Sequence, residues 1–399
     1  MDSELCLKCK GKGYCGKPCP ILAKFNFLGK IKTQFSGSSP PEIFVGRYGY
    51  PHVNAGILAP QETGDTEDFS LPENWHQKGL SIDEIMSLRS KLIYGRFKTT
   101  IKNKEGKLTN VLKEISMADK PVSTEIILKK TPSNELNIDK GMAVIGNPAP
   151  LKSARLEENP SIPKKIDYLV NDKEVKSTIA IKELYESKIK VSNIIKVLSA
   201  GLLGIKRKMV PTRWSITAVD DTLSKQMLQK IKFYQEINEV LLFHSDYLGN
   251  HYEFLLLPDK FAFEVIEAKM SGSVWNQTEK LYLSIDNEGF SGRKSYAENV
   301  TGAYYVNRLA LCEYLEKIKR QASCLVMREC RPEYYAPIGV GILREASRNA
   351  FSKQPEKFLS IQEALDSSQK RMKLPVSMFK DSSWLIKNYG KQTKLTNFI

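Results

Sequence analysis

The alternation of apolar and polar residues predicts β-strands in several short stretches of the chain. Four of these stretches, VLLFHS, YEFLLLP, FAFEVIEAK and KLYLSID, follow one another between residues 240 and 286. VSTEIILKK at 122–130 and SCLVMREC at 323–330 have the same character. Residues 25–69 are rich in Gly, Pro and Ser with short apolar runs, which predicts short strands and turns.

Other stretches repeat their apolar residues at helical spacing. Residues 81–96 begin with a Ser-x-x-Glu capping box, and five further stretches show the same spacing, at 176–203, 222–239, 301–321, 339–352 and 362–372. Residues 150–172 are rich in Pro, Lys and Glu, which favours a long surface connection. The pattern predicts an α+β fold with several antiparallel strands and about five helices, without a regular βαβ repeat.

These elements suggest a division into three parts. Residues 1–22 form a small cysteine-rich module, residues 23–388 form the core, and residues 389–399 form a flexible tail. The core is long enough to divide into two subdomains, and the polar stretch near 150–175 is the expected junction.

Composition adds a bias in charge. The chain has 399 residues, with 60 Lys and Arg against 45 Asp and Glu, for a net charge of +15. Such an excess favours phosphate-rich partners such as DNA, although a solvated basic surface explains it too, and membrane attraction is a weaker alternative. The stretch VSNIIKVLSAGLLGI is too short to span a membrane and contains Lys196. The N-terminus has no apolar signal segment, so we expect a cytoplasmic protein.

Four cysteines near the N-terminus have metal-ligand spacing. Cys6, Cys9, Cys15 and Cys19 occur as C-x2-C-x5-C-x3-C, with glycines that allow tight turns between them. In a reducing compartment such a cluster predicts a structural Zn2+ held by four thiolates. An iron–sulfur cluster and two disulfides are the alternatives.

A glycine-rich segment, FVGRYGYPHVNAG at 44–56, carries three polar candidates. Arg47 and Asn54 are predicted to contact phosphate, and His52 is a candidate general acid or base, because glycines allow a ligand to approach the backbone. The segment matches neither the P-loop nor the dinucleotide-binding motif. The alternative is a turn-rich loop that shapes the core.

A second segment, VPTRWSITAVDDTLSK at 210–225, contains adjacent carboxylates. Asp220 and Asp221 follow a strand-like apolar run and precede a helix, so one of them is expected to cap that helix. The alternative is that they hold Mg2+ or Mn2+ beside a phosphate. Arg213 is a candidate phosphate ligand, and Trp214 is either a core residue or a platform for a base.

Basic residues in the last third of the chain are further candidates. Lys269 precedes an SGS turn, and Arg293 and Lys294 lie in the turn of NEGFSGRKSYAEN, close to several tyrosines. Basic and aromatic residues together are typical of single-stranded nucleic-acid binding, but a tyrosine-rich core explains the tyrosines equally well.

The C-terminal sequence, KQTKLTNFI, places apolar residues where they would be exposed. A tight helical turn would put Leu395, Phe398 and Ile399 together, with Gln392 one turn earlier. This pattern resembles the PIP motif with which replication and repair proteins bind the sliding clamp PCNA, although Ile399 stands where an aromatic residue is usual. The alternative is that the tail docks on its own core.

The motifs together carry a wider resemblance. The four-Cys start, FVGRYGYPHVNAG, VPTRWSITAVDD, EAKMSGSVWN, NEGFSGRKSYAEN and the terminal peptide occur in this order, and in this the chain resembles the archaeal Nre family. The resemblance covers nearly the whole chain. It implies a cytoplasmic DNA repair protein with the metal ligands Cys6, Cys9, Cys15 and Cys19, which binds PCNA through Gln392, Leu395, Phe398 and Ile399. It implies no catalytic residue.

Two hypotheses about the core follow. In the first, the core is a metal-dependent hydrolase of phosphodiesters or nucleotide phosphates, with Asp220 or Asp221 on the metal and His52 as acid or base. In the second, it is a non-catalytic adaptor that binds DNA and recruits PCNA to damage. The two differ in whether the glycine-rich loop and the aspartate pair converge on one pocket.

Overall fold

The computed structural model describes residues 32–103, 105–133, 136–139, 141–276 and 278–391. Contacts divide this part of the chain into two compact units. The first unit contains residues 32–223 with Ala336–Ile342, and the second contains Ser224–Tyr335 with residues 343–391. The α+β class is confirmed. The predicted cysteine module and the residues of the terminal peptide lie outside the described residues.

The first unit contains a six-stranded sheet. Its described strands are β1 (Gln34–Ser39), β2 (Ile43–Val45), β3 (His52–Ala59), β4 (Ile93–Thr100), β5 (Val122–Leu128) and β8 (Pro148–Leu156), and a separate ribbon contains β6 (Leu136–Asp139) and β7 (Met142–Gly146). The strand order is β1-β5-β8-β4-β3-β2. Neighbouring strands are antiparallel except for β4 and β8. The strands predicted in 25–69 and at 122–130 are confirmed where the structure describes them.

Six helices and most of a seventh belong to the described part of the first unit. They are α1 (Pro72–Gln77), α2 (Ile82–Ser90), α3 (Lys107–Met117), α4 (Lys164–Asn171), α5 (Ser177–Glu186), α6 (Val191–Ser199) and α7 (Thr212–Ile231). The predicted capping box at the start of α2 is confirmed. The Glu84 amide donates to Ser81 Oγ at 3.3 Å, and the Ser81 amide donates to Glu84 Oε2 at 2.7 Å.

The second unit contains the other six-stranded sheet. Its strands are β9 (Val240–Tyr247), β10 (Asn250–Leu257), β11 (Ala262–Lys269), β12 (Tyr282–Glu288), β13 (Ser323–Cys330) and β14 (Glu356–Phe358). The order is β12-β11-β13-β10-β9-β14, and only β11 and β13 pair in parallel. Every residue of β10 and β13 is buried, as expected for central strands. The strands predicted between 240 and 286 and at 323–330 are therefore confirmed.

Helices complete the core of the second unit. They are α8 (Gly302–Ile318), α9 (Val340–Ser352, of which residues from Leu343 onward belong to this unit), α10 (Ile361–Gln369), α11 (Val376–Ser382) and α12 (Trp384–Asn388). Phe379 and Leu385 from the last two helices join a buried cluster with Leu255, Ile266 and Leu325 of the sheet. Burying a side chain of this size contributes about 1.5–3 kcal/mol.

Several predictions about the fold were wrong. Residues 93–96, predicted as the end of a helix, begin β4, and the helix predicted at 222–239 ends at Ile231. Residues 150–172 are not a surface connection, because they contain most of β8 and all of α4. The run 212–221 is helix rather than strand, because α7 begins at Thr212. The described residues form twelve α-helices instead of about five. The short helices α1, α4 and α11 begin at or directly after a proline, which favours a helix start as well as a turn.

Candidate nucleic-acid interface

A groove in the first unit has a volume of about 510 Å³. Three chain segments form most of it: the start of α5, the turn at 204–208 and the start of α7. Tyr50 is the residue of the glycine-rich loop that lines it. The groove thus contains residues from two candidate segments, 44–56 and 210–225. It also contains the basic turn at 204–208, which the sequence analysis did not predict as a site.

The turn at 204–208 packs tightly on the start of α5. Gly204 has φ +81°, and a Cβ built on it would lie 2.9 Å from Ser177 Cβ and 3.1 Å from the Ser177 amide nitrogen. Arg207 braces the same turn, because its guanidinium donates to the carbonyl oxygens of Val170, at 2.6 Å, and of Leu202 and Asp172. Partial burial lowers the pKa of this guanidinium. Arg207 therefore shapes the groove.

Two aromatic side chains lie at the surface of the groove. The ring centroids of Tyr50 and Trp214 are 5.1 Å apart, with an angle of 54° between the ring planes. Tyr50 is 49% exposed and Trp214 is 43% exposed. The Val45 amide donates to Thr212 Oγ1 at 2.9 Å, which ties the strand before the loop to the first residue of α7. Trp214 is therefore an exposed aromatic residue and not part of the core.

Three lysines line the same groove as this aromatic pair. Lys176, Lys206 and Lys208 line the groove and are exposed, and within the described part of the chain none of them has an ion pair or a side-chain hydrogen bond. Lys176 directly precedes α5, whose first turn has no acidic residue. The start of an uncapped helix adds partial positive charge to that of the lysines, so this surface favours anions.

The three polar residues predicted in the glycine-rich loop do not line the groove. The Arg47 guanidinium lies over the ring of Tyr48, 5.0 Å from its centroid. His52 is exposed at the start of β3, where its amide donates to the Gly49 carbonyl at 2.9 Å. The Asn54 carbonyl accepts from the Gly46 amide at 2.8 Å and from Tyr94 Oη at 3.2 Å. The loop thus contributes an aromatic ring, and these polar contacts fix its backbone.

The aspartate pair lies in the middle of α7. Asp220 is fully buried and Asp221 is half-buried. Adjacent helical residues are about 100° apart around the axis, so the two carboxylates leave the helix in different directions. Neither is the helix cap that we expected, because α7 begins at Thr212. No group of three His, Cys, Asp or Glu side chains in the described ranges is arranged to hold a metal ion. Their role as Mg2+ or Mn2+ ligands stays a prediction, as does the hydrolase hypothesis.

Two predicted cations of the second unit, Lys269 and Arg293, make internal contacts. Lys269 Nζ donates to Ser284 Oγ at 2.7 Å. Arg293 pairs with Asp286 at 3.1 Å and donates to the carbonyl oxygens of Asn287 at 2.7 Å and Tyr296 at 3.1 Å. Arg293 therefore braces its own turn.

The remaining candidates divide between core and surface. Tyr304 is fully buried, whereas Lys294 and Tyr296 are exposed. Arg213 is half-buried on α7 but does not line the groove. Sequence reasoning missed Tyr50, Lys176, Lys206 and Lys208. The run GIKRK at 204–208 was a basic signal that could have indicated Lys206 and Lys208.

Comparison with known proteins now identifies the family. The family model "Archaeal Nre, N-terminal" matches residues 14–276, and "Archaeal Nre, C-terminal" matches residues 288–398. The chain belongs to the Nre family. The resemblance drawn from its motifs is thus confirmed.

Curated relatives match along most of their length. "DNA repair protein NreB" of Archaeoglobus fulgidus is 37% identical over 395 residues, which is 99% of this chain and 100% of the relative. "DNA repair protein NreA" of the same organism is 37% identical over 379 residues, covering 93% and 95% of the two chains. "DNA repair protein NreA" of Haloferax volcanii is 38% identical over 327 residues, covering 79% and 77%.

No solved structure matches this chain. Within the described residues, no helix is long and apolar enough to cross a membrane.

Proposed function

We propose that this protein is a DNA repair protein that binds DNA through the groove of its first unit. The relatives named above support the repair role, and the groove supplies a surface with the right chemistry. The observation that carries the proposal is the exposed pair of Tyr50 and Trp214 beside Lys176, Lys206 and Lys208.

Each part of this surface has a partner on DNA. The three exposed ammonium groups neutralise phosphates and release condensed counterions, which makes binding depend on salt. The aromatic rings offer a flat apolar surface to bases. The net charge of +15 attracts DNA at long range but does not place it on the protein.

Salt-dependent binding tests the proposal. A labelled oligonucleotide is titrated with the full chain and with a triple variant, Lys176→Ala, Lys206→Ala and Lys208→Ala, and anisotropy is followed at several salt concentrations. The variant should bind more weakly, and the slope of log K against log salt should become less negative by about two to three, because about three phosphate contacts are lost.

A second triple variant controls for net charge. Lys317, Lys353 and Lys370 are exposed and lie outside the groove, and their replacement by Ala removes the same charge. This variant should keep most of the affinity of the wild type. If both triple variants weaken binding equally, the groove is not the DNA-binding site.

The C-terminal peptide supports a second part of the proposal, that the protein binds the sliding clamp PCNA. Gln392, Leu395, Phe398 and Ile399 have the spacing of a PIP motif. Calorimetry with purified archaeal clamp tests this with the full chain and with a chain truncated after Gly390. Binding in the micromolar range that is lost on truncation supports the proposal, and equal binding by both chains contradicts it.

A further inference from the structure

We infer that the groove receives a single-stranded segment of DNA, with one unpaired base against the ring of Trp214. This inference rests on the proposed function and deepens it, because it names the form of DNA that the groove takes. Its basis is the distribution of apolar and charged groups in the groove.

The interior of the groove is suited to base faces. Ile205, which is 59% exposed, and the aromatic pair present the accessible apolar surface, and the buried side chains of Ile101, Leu203 and Met209 lie beneath it. Phosphates gain nothing from such a surface, whereas a base that leaves its stack can cover it. The groove thus offers apolar area that a partner made only of phosphates and sugars would leave open to water.

The cations lie on the same surface and suit the backbone of that segment. Lys176, Lys206 and Lys208 are exposed in the lining of the groove, beside the apolar side chains. Single-strand binding sites combine a basic groove with aromatic rings in this way, because every base has a stacking face. The arrangement therefore predicts little preference for base sequence.

Intact duplex would use this surface poorly. In a duplex both faces of each base are covered by its neighbours, so Trp214 could stack only on a base that has been extruded at a cost of a few kcal/mol. A concave apolar groove of about 510 Å³ is within the range of about 300–1,000 Å³ that is typical of pockets enclosing a small ligand. We therefore expect tighter binding to single strands, gaps and unpaired bases than to intact duplex.

The test compares two forms of the same DNA. The full chain is titrated with a labelled single strand and with the same strand annealed to its complement. Three variants accompany the wild type: Trp214→Ala, Trp214→Phe, and the control Phe233→Ala. Phe233 is 89% exposed and lies in the second unit, outside the groove. Circular dichroism and thermal unfolding confirm that each variant is folded.

We expect the wild type to bind the single strand more tightly than the duplex. Trp214→Ala should weaken single-strand binding by about 5- to 100-fold and duplex binding much less, because stacking on one base is lost. Trp214→Phe should restore most of the affinity, since it restores a stacking ring. Phe233→Ala should leave both affinities unchanged.

The outcomes separate this inference from the proposed function. If Trp214→Ala weakens neither form, or both equally, the stacking inference is overturned. Loss of binding in the triple lysine variant would then still support the groove as a DNA site. If neither the lysines nor Trp214 affect binding, the proposed function of the groove fails together with the inference.

Discussion

The centroids of the Tyr50 and Trp214 rings lie 5.1 Å apart, and both side chains are exposed. One ring comes from a glycine-rich loop before β3 and the other from the first turn of α7, so the contact forms only when the first unit is folded. Each ring shields part of the other from water and leaves area for a partner. The same contact brings together the two segments whose convergence the sequence could not decide, although the aspartates of α7 are not part of it.

Gly204 tests whether the turn at 204–208 must pack closely on α5. Gly204→Ala should lower the free energy of unfolding by about 2 kcal/mol or more, since it adds a close contact with Ser177 to the strain of a left-handed backbone. Gly64→Ala is the matched control, because Gly64 has φ +106° and a Cβ at that position would have nothing within 4 Å. Urea unfolding measures the free energy of unfolding of both variants. Equal losses of stability in the two would contradict the close contact at Gly204.

Glu264 anchors the last described helix of the chain. Its buried carboxylate accepts from Ser383 Oγ and from the amides of Trp384 at 2.9 Å and Leu385 at 3.0 Å. Glu264→Gln should cost about 1–3 kcal/mol, because partly buried amides lose a charged acceptor. Exposed Glu298→Gln serves as the control.

Hydrogen exchange shows where the effect of Glu264→Gln arises. The amides of Trp384 and Leu385 should exchange faster in the variant than in the wild type, while those of β10 keep their protection. Unchanged exchange at the two amides would show that Glu264 does not hold the helix.

The buried Lys196 should make the free energy of unfolding depend on pH. Burial lowers its pKa to about 8 from 10.5, although Glu42 and Glu73 oppose the change. Below pH 8 the folded and unfolded chains both carry the proton, and the fold bears the cost of a buried charge. Between pH 8 and 10.5 the unfolded chain binds more protons, so the free energy of unfolding rises with pH, by about 3 kcal/mol at 1.36 kcal/mol per pH unit.

Substitution of Lys196 isolates this contribution. Lys196→Met should be more stable than the wild type near pH 7, and the difference should shrink toward about pH 10. Lys182→Met, at an exposed position with a weak ion pair to Glu186, should change little at either pH. Chemical unfolding at several pH values measures the free energy of unfolding of each variant and of the wild type. A difference between Lys196→Met and the wild type that does not vary with pH would contradict the lowered pKa.

Metal analysis tests the N-terminal cysteines, which lie outside the described residues. The full chain purified without chelator should contain about one Zn2+, since four thiolates suit one tetrahedral ion. Cys9→Ser should lose the metal, and Cys312→Ser should keep it, because Cys312 is buried in α8. Iron in place of zinc would favour the iron–sulfur alternative.

Local patterns predicted much of the fold. The strands between 240 and 286 were found because their apolar runs are long and bounded by turns. The start of α7 was mistaken for a strand because Thr, Ile and Val favour strands in isolation. In the fold, Ser215, Val219 and Leu223 are buried at a spacing of four residues, so packing decided for helix.

The groove was harder to predict than the fold. Tyr50, Lys176, Lys206 and Trp214 come from separate segments, and no local spacing links them. Arg47, Arg213 and Arg293 were plausible from residue type alone, but a sequence cannot show that Arg293 is already paired with Asp286. Two motifs can be read from local sequence alone, the four cysteines and the terminal peptide. Metal binding by the first and PCNA binding by the second remain predictions for experiment.

Photochemical crosslinking tests the DNA-binding groove most directly. A single strand carrying 5-iodouracil is irradiated with the full chain, and the adducts are mapped by mass spectrometry. The iodinated base couples to aromatic side chains on which it stacks, so adducts on Trp214 or Tyr50 are the predicted result. Adducts confined to exposed aromatic residues of the second unit, such as Tyr296 or Phe290, would contradict the assignment of the groove.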